Sequence, residues 1–213
     1  MRIPVAKEGY FLILFFLFLT FVATLIASLP IGGIFFLLTI FVLFFFRDPE
    51  REIPIEKSAI ISPADGRIIQ IREVEAGAWA LDVPAIQLSI FMSVFNVHVN
   101  RVPFGGKILE KNYNPGKFLP AYREKASKLN EQTTILIKTP KGFIRVTQIA
   151  GLIARRVVCW PNAGDTLLKG QRFGLIKFGS RVDLFLPKAV VYMRRCNIGT
   201  KVKAGESVLA HFL

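Results

Sequence analysis

The apolar positions follow two different regimes along the chain. Tyr10 to Ala27 reads YFLILFFLFLTFVATLIA without a charge, and after Ser28-Leu29-Pro30 and Gly32-Gly33 a second run, IFFLLTIFVLFFF, covers Ile34 to Phe46. The first run approaches the ~20 residues a helix needs to cross a bilayer; the second, ~16 residues counted from Ile31, is short but sufficient with flanking residues or a thinner bilayer. A secretory signal fits less well, because its apolar region would be too long and a second run follows at once. The pattern predicts a helical hairpin over residues 1–46, with Pro30 and the glycines at its turn. Arg2 and Lys7 flank one end, and Arg47, Arg51 and Lys57 the other. Positive residues prefer the cytoplasmic side, which puts both ends and the following domain on the cytoplasmic face of the cell membrane. A shallow re-entrant hairpin satisfies the same pattern.

Beyond Phe46 the long runs stop. Residues 47–58 form a charged linker in which Pro49 and Pro54 end the second helix. A domain over residues 59–213 then shows short apolar stretches punctuated by Gly and Pro. Ile60–Ile69 reads as strand, turn and strand, with Pro63, Asp65 and Gly66 in the turn. Ile86–Phe91 is a strand. Phe95–Pro103 alternates, setting Val97 and Val99 on one face and His98 and Asn100 on the other. Gly105-Gly106 opens a hairpin into Lys107–Leu109, and Asn114–Phe118 is a turn. Glu124–Gln132 is polar and without period, which predicts a loop or short helix. Thr133–Lys138 and Phe143–Ile149 are strands joined by Pro140-Lys141-Gly142; Val157–Trp160 is another, and Gly164–Gly170 a loop. A strand pair covers Phe173–Leu186. The tail, Gly199–Ala210, reads as strand, Ala-Gly turn, strand. No strong amphipathic helix occurs here, so the fold class is mainly β, a barrel or sandwich behind a helical hairpin.

Charge and cysteines narrow the partners. The net charge is +13, and residues 1–46 contribute only Arg2, Lys7 and Glu8. A basic domain beside an apolar segment points to an anionic lipid surface. Nucleic acid is disfavoured: the basic residues are scattered and no zinc-finger or RNP-like motif is present. Arg155-Arg156 suits lipid phosphates and a solvated corner equally. Cys159 and Cys196 lack metal-ligand spacing, so no metal site is expected and both thiols are read as reduced. The sequence leaves homo-oligomerisation open.

One dipeptide carries candidate chemistry. Gly179-Ser180 lies between Arg172–Lys177 and Val182–Leu186, both strand-like. Glycine permits strained or positive-φ backbone and leaves its carbonyl open to attack. A serine hydroxyl there can attack its own chain to form an ester, and elimination would then break the chain and lead to an N-terminal pyruvoyl group. The same dipeptide suits an ordinary bulge. Asp65 taken alone is a turn former, and His98, one of two histidines, taken alone is a strand residue. His211 has no motif around it.

Together, Phe45-Phe46-Arg47-Asp48-Pro49, Ser62-Pro63-Ala64-Asp65-Gly66, Ile90–Ser93 with Asn96-Val97-His98-Val99-Asn100-Arg101, Ile149-Ala150-Gly151 with Ala154-Arg155-Arg156, and Phe173–Asp183 resemble the short form of the phosphatidylserine decarboxylases. The tail Lys201-Val202-Lys203-Ala204-Gly205-Glu206 also resembles the turn of biotinyl and lipoyl barrels. The resemblance implies a self-processed enzyme, cleaved between Gly179 and Ser180 into partner chains 1–179 and 180–213, with Ser180 becoming a covalent pyruvoyl cofactor. It implies that Asp65 and His98 activate the serine. It also implies that the headgroup amine of a phospholipid substrate forms a Schiff base with the pyruvoyl group, loses carbon dioxide and leaves as the ethanolamine lipid, His98 protonating the carbon. The physics agrees, since a serine hydroxyl needs a base and the base an orienting acceptor.

The sequence departs from longer bacterial members, which carry two histidines three residues apart; Arg101 stands where the second would be. Asn130-Glu131-Gln132 resembles a family Asn-Glu-Arg loop without its arginine. Two rival readings use the same residues. A membrane serine hydrolase would employ Ser180, His98 and Asp65, but Arg181 and Val182 replace the Gly-x-Ser-x-Gly elbow. A non-catalytic biotinyl-like adaptor lacks the expected Met-Lys-Met turn.

Overall fold

A computed structural model describes residues 4–26, 28–77, 81–117, 129–151, 156–177, 179–193 and 196–213. The chain divides into two compact units, Met1–Glu50 and Arg51–Leu213.

The first unit is a helical pair, α1 (Tyr10–Ile26) and α2 (Leu29–Phe45). With the preceding single turn of 3₁₀ helix, Lys7–Ile26 gives 20 helical residues of mean hydropathy 2.5, long and apolar enough to cross a membrane; Leu29–Phe45 is shorter. Large side chains such as Phe11, Phe18, Leu25 and Leu37 are exposed, the surface expected against lipid rather than water. Thr20, Thr24 and Thr39 donate their hydroxyls to carbonyls one turn back, at 2.8–2.9 Å, so these three hydroxyls need no water. The turn differs from the expectation. Pro30 lies in the first turn of α2, where its missing N–H costs nothing, and Gly32 lies inside that helix. A Cβ at Gly32 would collide with the Thr24 methyl group, so the glycine serves close helix packing, not the bend.

The second unit is mainly β. Its strands are β1 (Ala59–Ile61), β2 (Gly66–Val74), β3 (Ala85–Met92), β4 (Val99–Arg101), β5 (Gly106–Asn114), β6 (Gln132–Thr139), β7 (Gly142–Ala150), β8 (Val157–Cys159), β9 (Thr166–Leu167), β10 (Arg172–Ile176), β11 (Ser180–Pro187), β12 (Val191–Met193), β13 (Lys201–Val202) and β14 (Val208–Phe212). Eight form a curled half-barrel sheet in the order β13-β2-β3-β11-β7-β6-β5-β9, and two three-stranded sheets, β1-β14-β12 and β4-β10-β8, complete the unit. Strand β11 occupies the middle of the large sheet, between β3 and β7, and all eight of its residues are buried. Its alternation still separates two faces. Val182, Leu184 and Leu186 join Leu88, Ile90 and Val146 in the main core, with Ile60, Phe173 and Leu209 from the smaller sheets. Arg181 and Asp183 point the other way.

Several expectations change. The strands around Ser180 do not pair with each other: β10 joins β4 and β8, whereas β11 joins β3 and β7, so the two flanks belong to different sheets. The tail strands likewise separate, β13 onto β2 and β14 onto β1 and β12. The strand expected over 95–103 is only Val99–Arg101, and His98 and Asn100 are buried along with Val97 and Val99, because two layers enclose this segment. Gln132 opens β6, and the expected loop after Gly164 contains β9. Phe178, Arg155 and most of the polar stretch from Glu124 lie outside the described residues; Arg156 is exposed.

Candidate active site

Gly179 has φ +65°, and a Cβ there would meet nothing within 4 Å. The glycine is therefore required for its left-handed backbone and not for lack of room. This turn ends the crossing from β10 and aims Ser180 into the start of β11, opposite Met92 of β3 and Ala150 of β7. Ser180 is fully buried, and its Oγ has no hydrogen-bond partner among the described residues. A buried, unpaired hydroxyl is costly. A buried hydroxyl with no partner among the described residues, directly after a left-handed glycine, makes Ser180 a candidate nucleophile.

His98 precedes β4 and is 2% exposed. Its carbonyl accepts the Ile176 N–H at 3.3 Å, so it lies beside the chain as it leaves β10 for Gly179. Its Nδ1 is 2.9 Å from the Asn96 carbonyl oxygen. A carbonyl only accepts, so Nδ1 is the donor in this arrangement, and Nε2 is buried. The orientation a base needs thus comes from backbone. His98 and Ser180 flank the same short segment from two sheets.

Asp65 is locked into a separate knot of loops at the same sheet end. Arg51 donates to both carboxylate oxygens, at 2.9 and 3.1 Å, and the Ala204 N–H donates to Oδ1 at 2.8 Å. The Arg51 guanidinium also reaches Glu206 at 3.2 Å. Burial alone would raise the Glu206 pKa; the Arg51 hydrogen bond and charge, then those of Lys203, outweigh it and hold the carboxyl below its ordinary range. The Ser62 carbonyl accepts the Gly205 N–H, and the Pro63 carbonyl accepts the Arg101 N–H, both at 2.9 Å. The Lys203–Glu206 turn, read from sequence as biotinyl-like, closes the cage around Asp65. Arg101, where longer relatives' second histidine would stand, is buried and its guanidinium donates to the Gly170 carbonyl at 3.0 Å.

Sequence reasoning missed Arg51, which it placed among membrane-flanking charges, and it assigned no role to Asn130. Asn130 is fully buried and donates to the Ala150 carbonyl at 2.7 Å, holding the residue paired with Ser180. Gln148 donates to Asn100 Oδ1 at 2.8 Å on the face that carries Ser180. On the opposite face the Arg181 guanidinium binds Asp183 at 2.6 Å and Ser89 at 2.7 Å, and Gln87 donates to Asp183 at 2.9 Å, fastening the strand directly after Ser180. Burial pushes the Cys159 thiol up to about 11, against the opposing charge of Lys111, which disfavours the thiolate. Among the described residues, no cluster of three or more metal-ligating side chains occurs.

The phosphatidylserine decarboxylase family model matches residues 38–210. The chain belongs to the phosphatidylserine decarboxylase family. Members of this family are carboxy-lyases. A phosphatidylserine decarboxylase proenzyme of Geotalea uraniireducens is 46% identical over 207 residues, covering 97% of this chain and 95% of the relative. Another, from Desulfotalea psychrophila, is 46% identical over 213 residues, covering 100% and 98%, and one from Syntrophus aciditrophicus is 46% identical over 215, covering 98% and 97%.

Proposed function

We propose that this chain is a self-processing, pyruvoyl-dependent phosphatidylserine decarboxylase that forms phosphatidylethanolamine and carbon dioxide at a membrane. The single observation that carries the reading is the buried Ser180 Oγ, without a hydrogen-bond partner among the described residues, immediately after a left-handed glycine. The relatives' name, proenzyme, supports a chain that is cut.

In processing, Ser180 Oγ attacks the Gly179 carbonyl carbon while His98 Nε2 takes the hydroxyl proton, and the amide nitrogen leaves as an amine, giving an ester. Removal of the Ser180 Cα proton breaks the Cβ–O bond. Gly179 departs as a carboxylate, and residue 180 becomes dehydroalanine. Tautomerisation and hydrolysis release ammonia and leave the ketone. The site fits that group, because the hydroxyl consumed has no hydrogen-bond partner among the described residues. Once formed, the pyruvoyl ketone supplies a carbonyl for the headgroup amine and an electron sink for decarboxylation. The protein's own residues do the rest. His98 returns a proton to the headgroup carbon, Asn130 and the Arg181–Asp183 pair hold the new chain end in its strand, and the caged Asp65 supports activation of Ser180. The helical pair anchors the domain on the cytoplasmic face, where a substrate confined to the bilayer is met.

Intact mass tests this. The wild type should give two chains divided between Gly179 and Ser180, the smaller with a keto-blocked N-terminus that hydroxylamine or borohydride traps. Ser180→Ala should remain one chain and release no carbon dioxide; splitting at the same bond in that variant ends the assignment.

A further inference from the structure

We propose that Gln148 receives the amine of the substrate, its side-chain carbonyl accepting a hydrogen bond from the headgroup nitrogen, with Asn100 as the brace that holds it. This rests on the decarboxylase reading and names how that site recognises its substrate. Ser180 pairs with Ala150 of β7 and Val182 with Gln148, so Gln148 is the diagonal neighbour of Ser180 across the β11–β7 ladder. The two side chains share a face, and diagonal neighbours stand about 7–8 Å apart, a gap that a long side chain spans. Ser180 is 0% and Gln148 1% exposed, and neither Ser180 Oγ nor Gln148 Oε1 has a hydrogen-bond partner among the described residues.

The carboxamide is held from the opposing layer. Gln148 Nε2 donates to Asn100 Oδ1 at 2.8 Å and to the Val158 carbonyl at 3.4 Å. A backbone carbonyl only accepts, so the nitrogen end must face Val158, and the oxygen end is the one left over. Asn100 is fully buried, and its Nδ2 lies 3.7 Å from Met92 Sδ. Met92 is the partner of Ser180 on β3, and Gln148 the partner of Val182 on β7. Asn100, bonded to both, therefore spans β11 beside Ser180. Gly174 makes the room: a Cβ there would press on Gln148 Nε2 and collide with the Val158 carbonyl oxygen.

The chemistry selects the amine. Leaving a buried amide oxygen unpaired costs its desolvation, which an apolar side chain of the same size would avoid. Of the polar groups of a serine headgroup, the carboxylate and the phosphodiester only accept hydrogen bonds at neutral pH, and the nitrogen alone donates. An unpaired acceptor therefore pairs with the nitrogen and repels the other two. The nitrogen is also the group that has to meet residue 180. Cleavage frees the Gly179 end, where the space a side chain would take is open, and the headgroup enters there.

The test uses the full-length chain in detergent micelles, as wild type, Gln148→Met and Gln148→Glu. Methionine keeps the length and removes the acceptor; glutamate keeps an acceptor and loses the donor to Asn100. Intact mass reports cleavage. Borohydride then reduces the ketone, so that calorimetry reads binding without turnover. The probes are short-chain phosphatidylserine and its analogue with hydrogen in place of the amine. Wild type should prefer phosphatidylserine about tenfold, the worth of one hydrogen bond to a charged group. Gln148→Met should be cut and lose that preference through weaker binding of phosphatidylserine alone, whereas Gln148→Glu should keep it. In unreduced enzyme the same loss should appear as a KM about tenfold higher, with a smaller change in kcat. Unchanged phosphatidylserine affinity in Gln148→Met overturns the proposal. So does an equal loss on both lipids, which would mark packing. Absence of cleavage in both variants also overturns it, since Gln148 would then act before any substrate arrives; if glutamate alone permits cleavage, the preference must survive in it. A wild type that neither splits nor decarboxylates ends the decarboxylase reading and this inference with it, whereas an active wild type with an indifferent Gln148→Met ends the inference alone.

Discussion

At the scale of single residues, two glycines of the site are needed for different reasons, and substitution separates them. Gly179 has a positive φ with open space around it, so alanine there should cost only the left-handed conformation, about 1–2 kcal/mol. Gly66 has φ +155°, and a Cβ there would collide with the Phe91 carbonyl oxygen where β2 approaches β3. In an uncleavable Ser180→Ala background, denaturant unfolding should show Gly179→Ala as a mild change and Gly66→Ala as a larger one. Gly179→Ala alone should also slow self-cleavage, followed by mass against time. Equal stability losses at the two positions would refute this division. The glycine and serine were visible as a motif; the loneliness of the Ser180 hydroxyl was not, since it depends on which polar groups the fold leaves out of reach.

Among elements, the Asp65 cage is the clearest case of pieces far apart in sequence acting together. Arg51, the Ser62–Gly66 loop and the Lys203–Glu206 turn meet only through tertiary hydrogen bonds. Arg51 and Asp65 side chains are 8% and 11% exposed, so the pair is largely shielded from water. Removing one member of such a pair strands the other charge, at a cost of about 3–5 kcal/mol. Arg51→Ala should therefore lower stability by that order and leave a larger uncut fraction. Arg51→Lys, which keeps the charge but not the fork, should fall between. Thermal unfolding beside gel quantification of the two chains decides it; wild-type stability in Arg51→Ala would dismiss the cage. The spacing of Arg51 from the apolar run made it look like a membrane-flanking charge, and nothing local to it names a carboxylate 14 residues away.

For the whole molecule, the two units divide the physical tasks. In Met1–Glu50 the charges of Arg2, Lys7 and Arg47 balance those of Glu8, Asp48 and Glu50, so the net +13 belongs entirely to Arg51–Leu213. Hydrophobic anchoring and electrostatic attraction are thereby separated along the chain. Residues 51–213 expressed alone should fold, cut themselves and bind anionic vesicles only at low salt, whereas the full chain should stay bound at high salt. Vesicle sedimentation across a salt series measures this, and salt-resistant binding by the shortened chain would contradict it.

The order of residues alone determined the helical pair, the mainly β character, most strand positions and the Gly-Ser motif. These follow from local rules: uncharged runs of membrane length, alternation of period two, and glycine and proline as punctuation. Tertiary structure decided which strands are neighbours, and with it the site. The segments flanking Ser180 look like a hairpin in sequence, yet β10 and β11 enter different sheets. Short strands of similar apolar pattern can pair in many ways, and only simultaneous burial of all of them selects one. That selection sets His98 beside the chain leaving β10, gives Asp65 an arginine, and buries the Ser180 hydroxyl without a partner among the described residues.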